Sequence, residues 1–335
     1  MREPAFWWRP AGLAAALLAP AAAGYGTIAA RAFKQTGHRT RVPVVCVGNL
    51  TVGGSGKTPT AIAIARIFLA ARKRPAFLTR GYGGKLAGPI RVDPSVHRAV
   101  DVGDEPLLLA REAPTIVARD RVAGALLAEA NGADVIVMDD GFQNPSLMKD
   151  LAFLVVDGRR GIGNGRMIPA GPLRAPLTLQ LDHADALLAV GEATNVRDVI
   201  AEATDRALSI FRGRLEGERT AIADLSNQKV LAFAGIADPE KFFATLAAMG
   251  AAPAVTAGFP DHHRYTAREA QDLIDRADRD GLRLLTTEKD LVRLQGEQDL
   301  AALSARTTAL PVTLAFEGED AVRRLVLGVL RAKPR

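Results

Sequence analysis

The segment Val44-Val-Cys-Val-Gly-Asn-Leu-Thr-Val-Gly-Gly-Ser-Gly-Lys-Thr-Pro-Thr60 passes from apolar, β-type residues into a glycine-rich loop ending in Gly56-Lys57-Thr58. Across Thr51, Val52, Gly53, Gly54, Ser55 and Gly56 the chain can turn successive backbone N–H groups inward around phosphates. Lys57 can then reach the β- and γ-phosphates, and the Thr58 hydroxyl can hold Mg²⁺ at the start of the next helix. This is phosphate-loop chemistry, with ATP and Mg²⁺ as the implied cofactors. The usual G-x-x-x-x-G-K-[ST] spacing starts here at Thr51, so its first glycine is missing, while Gly48, Gly53 and Gly54 keep the loop permissive. A chance Gly-Lys-Thr in a surface turn does not explain strand, loop and helix in this order.

Other segments carry groups that phosphoryl transfer can use. Val135-Ile-Val-Met-Asp-Asp-Gly-Phe-Gln143 is an apolar run ending in Asp139 and Asp140. At the carboxyl end of a sheet, one carboxylate can hold Mg²⁺ through its water shell while the other orients a ligand; capping of the following turn is the plainer alternative. Spacing alone reads Asp104 of Gly103-Asp-Glu-Pro106 as a helix N-cap. Asp261-His-His-Arg-Tyr265 places two of the five histidines side by side in a polar segment. A loop histidine facing a nucleotide site can act as general base if a carboxylate such as Asp104 stabilises its protonated form. No cysteine pair or spaced His-x-x-x-His accompanies it, which argues against zinc. Arg80-Gly-Tyr-Gly-Gly84 and Gly161-Ile-Gly-Asn-Gly-Arg-Met-Ile-Pro-Ala-Gly-Pro-Leu-Arg174 place Arg80, Tyr82 and Arg174 beside backbone that can approach an anionic substrate. Thr286-Thr-Glu-Lys-Asp290 reads either as a helix cap or as a group near the nucleotide.

These groups need a sheet to bring them to one edge. Strand-type runs at Val44–Val47, Ala76–Thr79, Thr115–Ala118, Val135–Met138, Phe153–Val156 and Ala186–Val190 alternate with helical patterns at Thr60–Arg72, Glu105–Glu112 and Arg119–Ala130. The alternation predicts an α/β fold: a doubly wound, mainly parallel sheet that binds ligands at the carboxyl ends of its strands. A polar stretch from Val196 to Gln228 reads as a connection to a smaller α/β lobe. That lobe has strands at Val230–Gly235, around Val255 and at Arg283–Thr286, with helices at Pro239–Met249 and Ala267–Asp280. The expected organisation is an N-terminal helix over 1–35, a phosphate-loop core over 36–215 and a C-terminal lobe over 216–335.

The chain has 335 residues, of which 48% are hydrophobic, enough for two domains with buried parallel strands. Its net charge of +6 suits an anionic partner. The arginines lack the interleaved aromatics that stack on bases, so a phosphorylated substrate or an anionic membrane surface fits better than nucleic acid. No obligatory protein partner is implied. The single cysteine, Cys46, sits inside an apolar strand and reads as a small buried hydrophobe in a reducing compartment.

From Ala11 to Ala30 no residue is charged; Arg2 and Arg9 precede this run, Arg31 and Lys34 follow it, and Trp7-Trp8 stand at its edge. A cleaved signal peptide would carry the nucleotide site away from cytoplasmic ATP. A spanning helix needs about 20 apolar residues. This run has that length but is mostly Ala and Gly, contains Pro20, and has only Leu13, Leu17, Leu18, Tyr25 and Ile28 as bulky apolar residues. Tryptophans beside arginines favour a helix lying at headgroup level over a spanning or a soluble one.

In order along the chain, Gly48-Asn-Leu-Thr-Val-Gly-Gly-Ser-Gly-Lys-Thr-Pro59, Arg80-Gly-Tyr-Gly-Gly84, Gly103-Asp-Glu-Pro106, Asp139-Asp-Gly-Phe-Gln143, Gly163-Asn-Gly165, Pro169-Ala-Gly-Pro-Leu-Arg174, Asp261-His262 and Thr287-Glu-Lys-Asp290 resemble the tetraacyldisaccharide 4′-kinases of Gram-negative bacteria. The resemblance implies ATP-dependent phosphorylation of the 4′-hydroxyl of a tetraacyldisaccharide 1-phosphate, a step of lipid A biosynthesis, at the cytoplasmic face of the inner membrane. It implies a phosphate-loop core, a membrane-associated N-terminal helix and a smaller C-terminal lobe, with nucleotide between the lobes. By resemblance, Asp104 and His262 are the acid–base pair. Lys57 and Thr58 contact phosphate and Mg²⁺, Asp139 and Asp140 are the metal-proximal carboxylates, Asp140 also counts among the catalytic groups, and Arg80, Tyr82 and Arg174 lie near the substrate. The family often has histidine where this chain has Asn144 and glutamate where it has Ala175, so those roles do not transfer. Two alternatives stand beside this reading. An NTPase coupling hydrolysis to partner or metal delivery needs neither the apolar N-terminus nor a second-lobe base. A membrane-bound nucleotide sensor would keep Lys57 and tolerate loss of Asp104 and His262.

Overall fold

A computed structural model of the chain describes residues 3–225 and 228–331; Arg2, expected among the basic residues flanking the apolar run, lies outside them. Strands β1 (Val44–Asn49), β2 (Pro75–Thr79), β3 (Ile90–Arg91), β4 (Thr115–Val117), β5 (Val135–Asp139), β6 (Leu151–Asp157), β7 (Ala186–Val190) and β8 (Ser209–Gly217) build one sheet. Strands β9 (Val230–Ala234), β10 (Pro253–Gly258), β11 (Arg283–Thr287) and β12 (Thr307–Leu310) build a second, in the order β10-β9-β11-β12, all parallel. A last strand, β13 (Val312–Glu317), returns to the large sheet, whose order is β13-β8-β7-β6-β1-β5-β2-β4-β3. Its pairings are parallel except at the two edges, where β13 opposes β8 and β3 opposes β4.

The central strands are apolar on both faces because helices cover both. Val44 and Cys46 pack with Ile136, Met138 and Leu154 on one face. Val45 and Val47 pack with Val137, Phe153 and Phe68 on the other. Such strands read as unbroken apolar runs, and the expected α/β sheet is present. Burial pushes the Cys46 thiol up to about 11, in keeping with a packing role.

Two expectations need correction. The polar stretch Val196–Gln228 contains helix Arg197–Asp205 and strand β8. Along β8, Phe211 and Gly213 are buried while Arg212, Arg214 and Glu216 are exposed, the alternation of a strand with one solvated face. The lobe expected over 216–335 loses its last part to the large sheet. β13 pairs with β8, and Val322 and Val326 of helix Glu319–Gly328 join the core around Phe68 and Phe211.

The N-terminal segment makes a 3₁₀ turn, Ala5–Trp8, and then helix Leu13–Phe33. The helix rests on the protein through small residues: Ala15, Ala22 and Gly26 are buried, and a Cβ on Gly26 would collide with Met167. Phe33 at its end lies 5.7 Å from the Phe142 ring. Helical spacing puts Leu13, Leu17 and Ile28 on the opposite side, at 84%, 81% and 68% exposure. Trp7 and Trp8 do not join that face. Trp7 is buried, with Nε1 donating to the Pro169 carbonyl at 3.0 Å, and the Arg160 guanidinium stands 5.0 Å from the Trp8 ring centre. Tryptophan beside arginine here makes an internal cation–π contact instead of a headgroup anchor.

Candidate active site

β1 ends in the phosphate loop. Thr51 bridges to Leu173, and the Val52 N–H donates to the Pro172 carbonyl at 2.9 Å. This pairing sets the loop's first residues by a neighbouring strand-like segment, and Thr51 is not among the residues with positive φ, so no glycine is required there. Glycine is required at Gly53 and Gly56, with φ of 103° and 93°. A Cβ on Gly53 would also collide with the carboxylate of Glu3. Gly56 caps helix Lys57–Ala70, whose unpaired N–H groups and positive dipole end face the loop.

The carboxyl end of β5 faces this loop. The Thr58 hydroxyl donates to Asp139 Oδ2 at 3.1 Å. Asp139 is buried; burial, then the charges of Glu105 and Asp140, push its pKa up to about 7. Asp140, at φ 55°, turns its carboxylate to Arg174 in a two-pronged contact of 2.6 and 3.2 Å, and Lys57 Nζ lies 3.8 Å away. Burial raises the Asp140 pKa, but Lys57 and Arg174 outweigh it and hold it at about 2. Burial lowers the pKa of Lys57, and the Asp140 charge opposes that shift.

Asp104 opens helix Asp104–Ala110, whose N-cap is Gly103, so Asp104 is its first helical residue and not its cap. Its Oδ2 reaches the second lobe, where it accepts from His262 Nδ1 at 3.2 Å and from Arg293 Nε at 2.6 Å. Burial raises the Asp104 pKa, yet the bonds to His262 and Arg293 bring it well below the usual carboxylate range. The His262 pKa is raised: burial lowers it, and the Asp104 contact more than compensates. His262 also has a positive φ, 55°, a conformation that costs a non-glycine residue roughly 1–2 kcal/mol.

The adjacent His263 is occupied elsewhere. Its Nε2 lies 3.0 Å from both oxygens of Glu269, and its ring stacks on Phe259. Glu269 closes the capping box of helix Ala267–Asp280 with Thr266, so His263 belongs to the lobe's own scaffold. Tyr82 is exposed and its ring lies 5.0 Å from that of His262. Arg80, exposed just beyond β2, makes none of these contacts.

Arg293, Glu105 and Lys289 were not singled out from the sequence. Arg293 is buried between Asp104, Asp290 at 2.8 Å and the Gly235 carbonyl at 2.6 Å, which joins the lobes. Lys289 pairs with Glu105 at 2.7 Å beside it. Thr286-Thr-Glu-Lys-Asp290 therefore serves both readings: Thr287 caps helix Glu288–Leu294, while Lys289 and Asp290 build the interlobe cluster. A buried cation one helical turn beyond Asp290 had no local signature. Among the described residues, the buried side-chain polar atoms without hydrogen-bond partners are Asn49 Oδ1, Ser55 Oγ and Asp139 Oδ1, on the loop or at the ends of β1 and β5, and Arg121 Nε, at the start of helix Arg121–Ala130.

The family model described as Tetraacyldisaccharide-1-P 4′-kinase matches residues 14–331. The chain belongs to that family. It is 52% identical over 332 residues to the tetraacyldisaccharide 4′-kinase of Rhodopseudomonas palustris (strain BisA53), covering 99% of this chain and 97% of that protein. It is 53% identical over 336 residues to that of Methylobacterium sp. (strain 4-46), with 99% of each covered. Among solved structures it resembles the "apo" form of LpxK from Aquifex aeolicus in complex with ATP. The TM-score is 0.73 at 28% identity, over 94% of this chain and 99% of that one. The span that matches the tetraacyldisaccharide-1-P 4′-kinase family contains the phosphate loop, both aspartates of β5, Asp104 and His262, whereas Glu3, Trp7 and Trp8 lie ahead of it.

Proposed function

We propose that this chain transfers the γ-phosphate of ATP to the 4′-hydroxyl of a tetraacyldisaccharide 1-phosphate. The observation that carries this reading is the Asp104–His262 pair, assembled from two lobes, with the neighbouring Glu105 paired to Lys289 and held ionised by the charges of Lys289 and of the phosphate-loop lysine Lys57. With Nδ1 bonded to Asp104, His262 has Nε2 available to take the proton of the sugar hydroxyl as it attacks phosphorus. Asp104 orients the ring and stabilises its protonated form; Arg293 fixes Asp104. Lys57 neutralises charge growing on the transferred phosphoryl group, and Asp140 with Arg174 holds Lys57 and the loop in place.

Mg²⁺ fits the donors present. The buried Asp139 Oδ1 lacks a hydrogen-bond partner and Thr58 approaches the other oxygen, a hard-oxygen pair suited to this ion. Asp140 is engaged by Arg174, so Asp139 and Thr58 are the residues that would hold the metal. Bound there, Mg²⁺ supplies charge neutralisation on phosphate oxygens.

The outward face of helix Leu13–Phe33 supports seating at the cytoplasmic surface of the inner membrane, where the acyl chains of the acceptor stay in lipid. The helix is long and apolar enough to cross a membrane, but its small residues rest on the protein while Leu13, Leu17 and Ile28 face outward, which favours lying in the interface. The deciding experiment is transfer of label from γ-labelled ATP to a tetraacyldisaccharide 1-phosphate. ATP consumption that is indifferent to the lipid acceptor would instead support an NTPase.

A further inference from the structure

Arg293 stands in the last turn of helix Glu288–Leu294 and is buried. Its Nε donates to Asp104 Oδ2 at 2.6 Å, and its Nη2 donates to the same oxygen. Its Nη1 donates to the Gly235 carbonyl at 2.6 Å and to Asp290 Oδ1 at 2.8 Å. That carbonyl, just past β9, is also the acceptor for the His262 backbone N–H at 3.1 Å. One guanidinium therefore reaches both supports of the histidine: the carboxylate that holds its ring, and the carbonyl that holds its backbone at a φ of 55°. Asp290, fully buried, backs the arrangement, because its Oδ1 also accepts from the Gly235 N–H at 3.0 Å and from the Tyr265 hydroxyl at 2.9 Å.

We propose that Arg293 is a positioning residue with an electrostatic duty: by sharing Asp104 with His262, it keeps the imidazole from holding its proton too tightly to act as a base near neutral pH. The inference rests on the kinase reading above and deepens it. A buried carboxylate whose only partner is a histidine favours the imidazolium, whereas a general base works best with a pKa near the operating pH. Counting charges shows what the guanidinium changes. With His262 neutral, Asp104, Asp290 and Arg293 together leave one net negative charge, which a proton on His262 cancels. Without the guanidinium two negative charges remain, and the proton is held more strongly. The other groups around the ring stay the same. Asp261 Oδ2 lies 3.8 Å from His262 Nε2, and Lys289, whose charge opposes protonation, is paired with Glu105 at 2.7 Å. The Tyr82 ring is 5.0 Å away, Arg264 donates to the Gly83 carbonyl at 3.0 Å, and His263 is turned to Glu269.

The test uses the full chain in detergent: kcat/KM for label transfer to the lipid acceptor from pH 5 to 9, with the ring signals of His262 followed by NMR over the same range. Those signals are identified by their loss in His262→Ala. Arg293→Gln keeps a hydrogen-bonding amide without the charge, so the acid limb and the His262 titration should both move to higher pH by about one unit or more. The plateau should fall by up to about 10²-fold, the scale of a reacting group displaced by an ångström. Arg293→Lys keeps the charge but cannot reach Asp104 and the Gly235 carbonyl together, so the limb should stay near its wild-type position while the plateau falls. Tyr265→Phe removes a different hydrogen bond from Asp290, and should lower the melting temperature with the limb in place. A limb and a titration that stay in place or move to lower pH in Arg293→Gln, or that rise equally in Arg293→Lys or Tyr265→Phe, overturn the proposal. If Arg293→Gln does not fold, Arg293→Lys decides alone, since a wild-type plateau or a displaced limb there also overturns it. His262→Ala, measured in parallel, should lose the acid limb and most of the rate. If it does not, the base reading itself fails, whatever the Arg293 variants show.

Discussion

Replacing Asp104 with asparagine separates two duties that one buried carboxylate performs. Its Oδ2 accepts from His262 Nδ1 at 3.2 Å and from Arg293 Nε at 2.6 Å, and the carboxylate is only 4% exposed. The rate should suffer first. A positioned base contributes about 10²–10⁴-fold, roughly 3–5 kcal/mol of transition-state stabilisation, and a ring without its orienting carboxylate should lose a comparable share. Stability should fall as well. Breaking a buried ion pair costs about 3–5 kcal/mol; Arg293 keeps Asp290 at 2.8 Å and the Gly235 carbonyl at 2.6 Å, which places the loss near the low end. Against a typical total of about 5–15 kcal/mol, the variant remains folded at room temperature. The pH profile discriminates further. Asp104 raises the His262 pKa in the native enzyme, and the histidine must be neutral to accept a proton, so kcat/KM climbs as pH rises through that value. In Asp104→Asn the imidazolium loses its hydrogen-bonded counter-charge, keeps only Asp261 at 3.8 Å and faces Arg293, so the acid limb should move to lower pH while the plateau drops. Phosphoryl transfer measured from pH 5 to 9, with circular dichroism at each pH, reads both effects. An acid limb that stays in place, or a plateau equal to wild type, refutes the dyad.

His262→Ala should lower kcat by about 10²–10⁴-fold with ATP affinity nearly intact, and combining it with Asp104→Ala should add little more. His263→Ala should spare the rate and lower the melting temperature, because Glu269 and Phe259 hold that ring; a crippled His263→Ala enzyme would reverse the assignment. Lys57→Ala should abolish label transfer to the lipid without changing the far-ultraviolet spectrum, and near wild-type turnover would remove the loop from the mechanism. Leu17→Glu and Ile28→Glu, on the outward face of the first helix, should each weaken vesicle binding about ten-fold or more in sedimentation assays. Alkaline carbonate should extract the wild-type chain, whereas resistance would mean that the helix spans.

The sheet was legible because its central strands are covered on both faces and so appear as unbroken apolar runs bounded by glycine-rich turns. β8 was not. Phe211 and Gly213 alternate with Arg212 and Arg214, and a strand with one wet face has nearly the composition of a loop. The loop lysine, the aspartates of β5 and the histidine pair were visible as residue types at strand ends. That Asp104 could serve a loop histidine followed from residue types, but that it meets His262 was specified only by the family resemblance, because spacing suggests a cap. Arg293 had no signal, since its function depends on partners 189 and 58 residues away, Asp104 and Gly235. The tryptophan pair misled for a related reason. Aromatic beside basic residues is equally the signature of a membrane anchor and of an internal stack, and only tertiary structure distinguishes them.

The return of β13 to the large sheet changes how the gene can be cut. Gly217, at the end of β8, sits directly opposite Val312, at the start of β13, as antiparallel partners, and the entire second sheet hangs between them. The small lobe is topologically an insert in a hairpin. A two-residue Asn-Gly turn joining Gly217 to Val312 would close that hairpin with ordinary geometry. It would yield a single-sheet protein that keeps the phosphate loop and both β5 aspartates but lacks the histidine. Such an excision is open to construction, whereas truncation from the C-terminus at any point before β13 would strip an edge strand and helix Glu319–Gly328 from the large sheet. Chimeras between relatives should accordingly exchange residues 218–311 as one cassette, with both crossings swapped together.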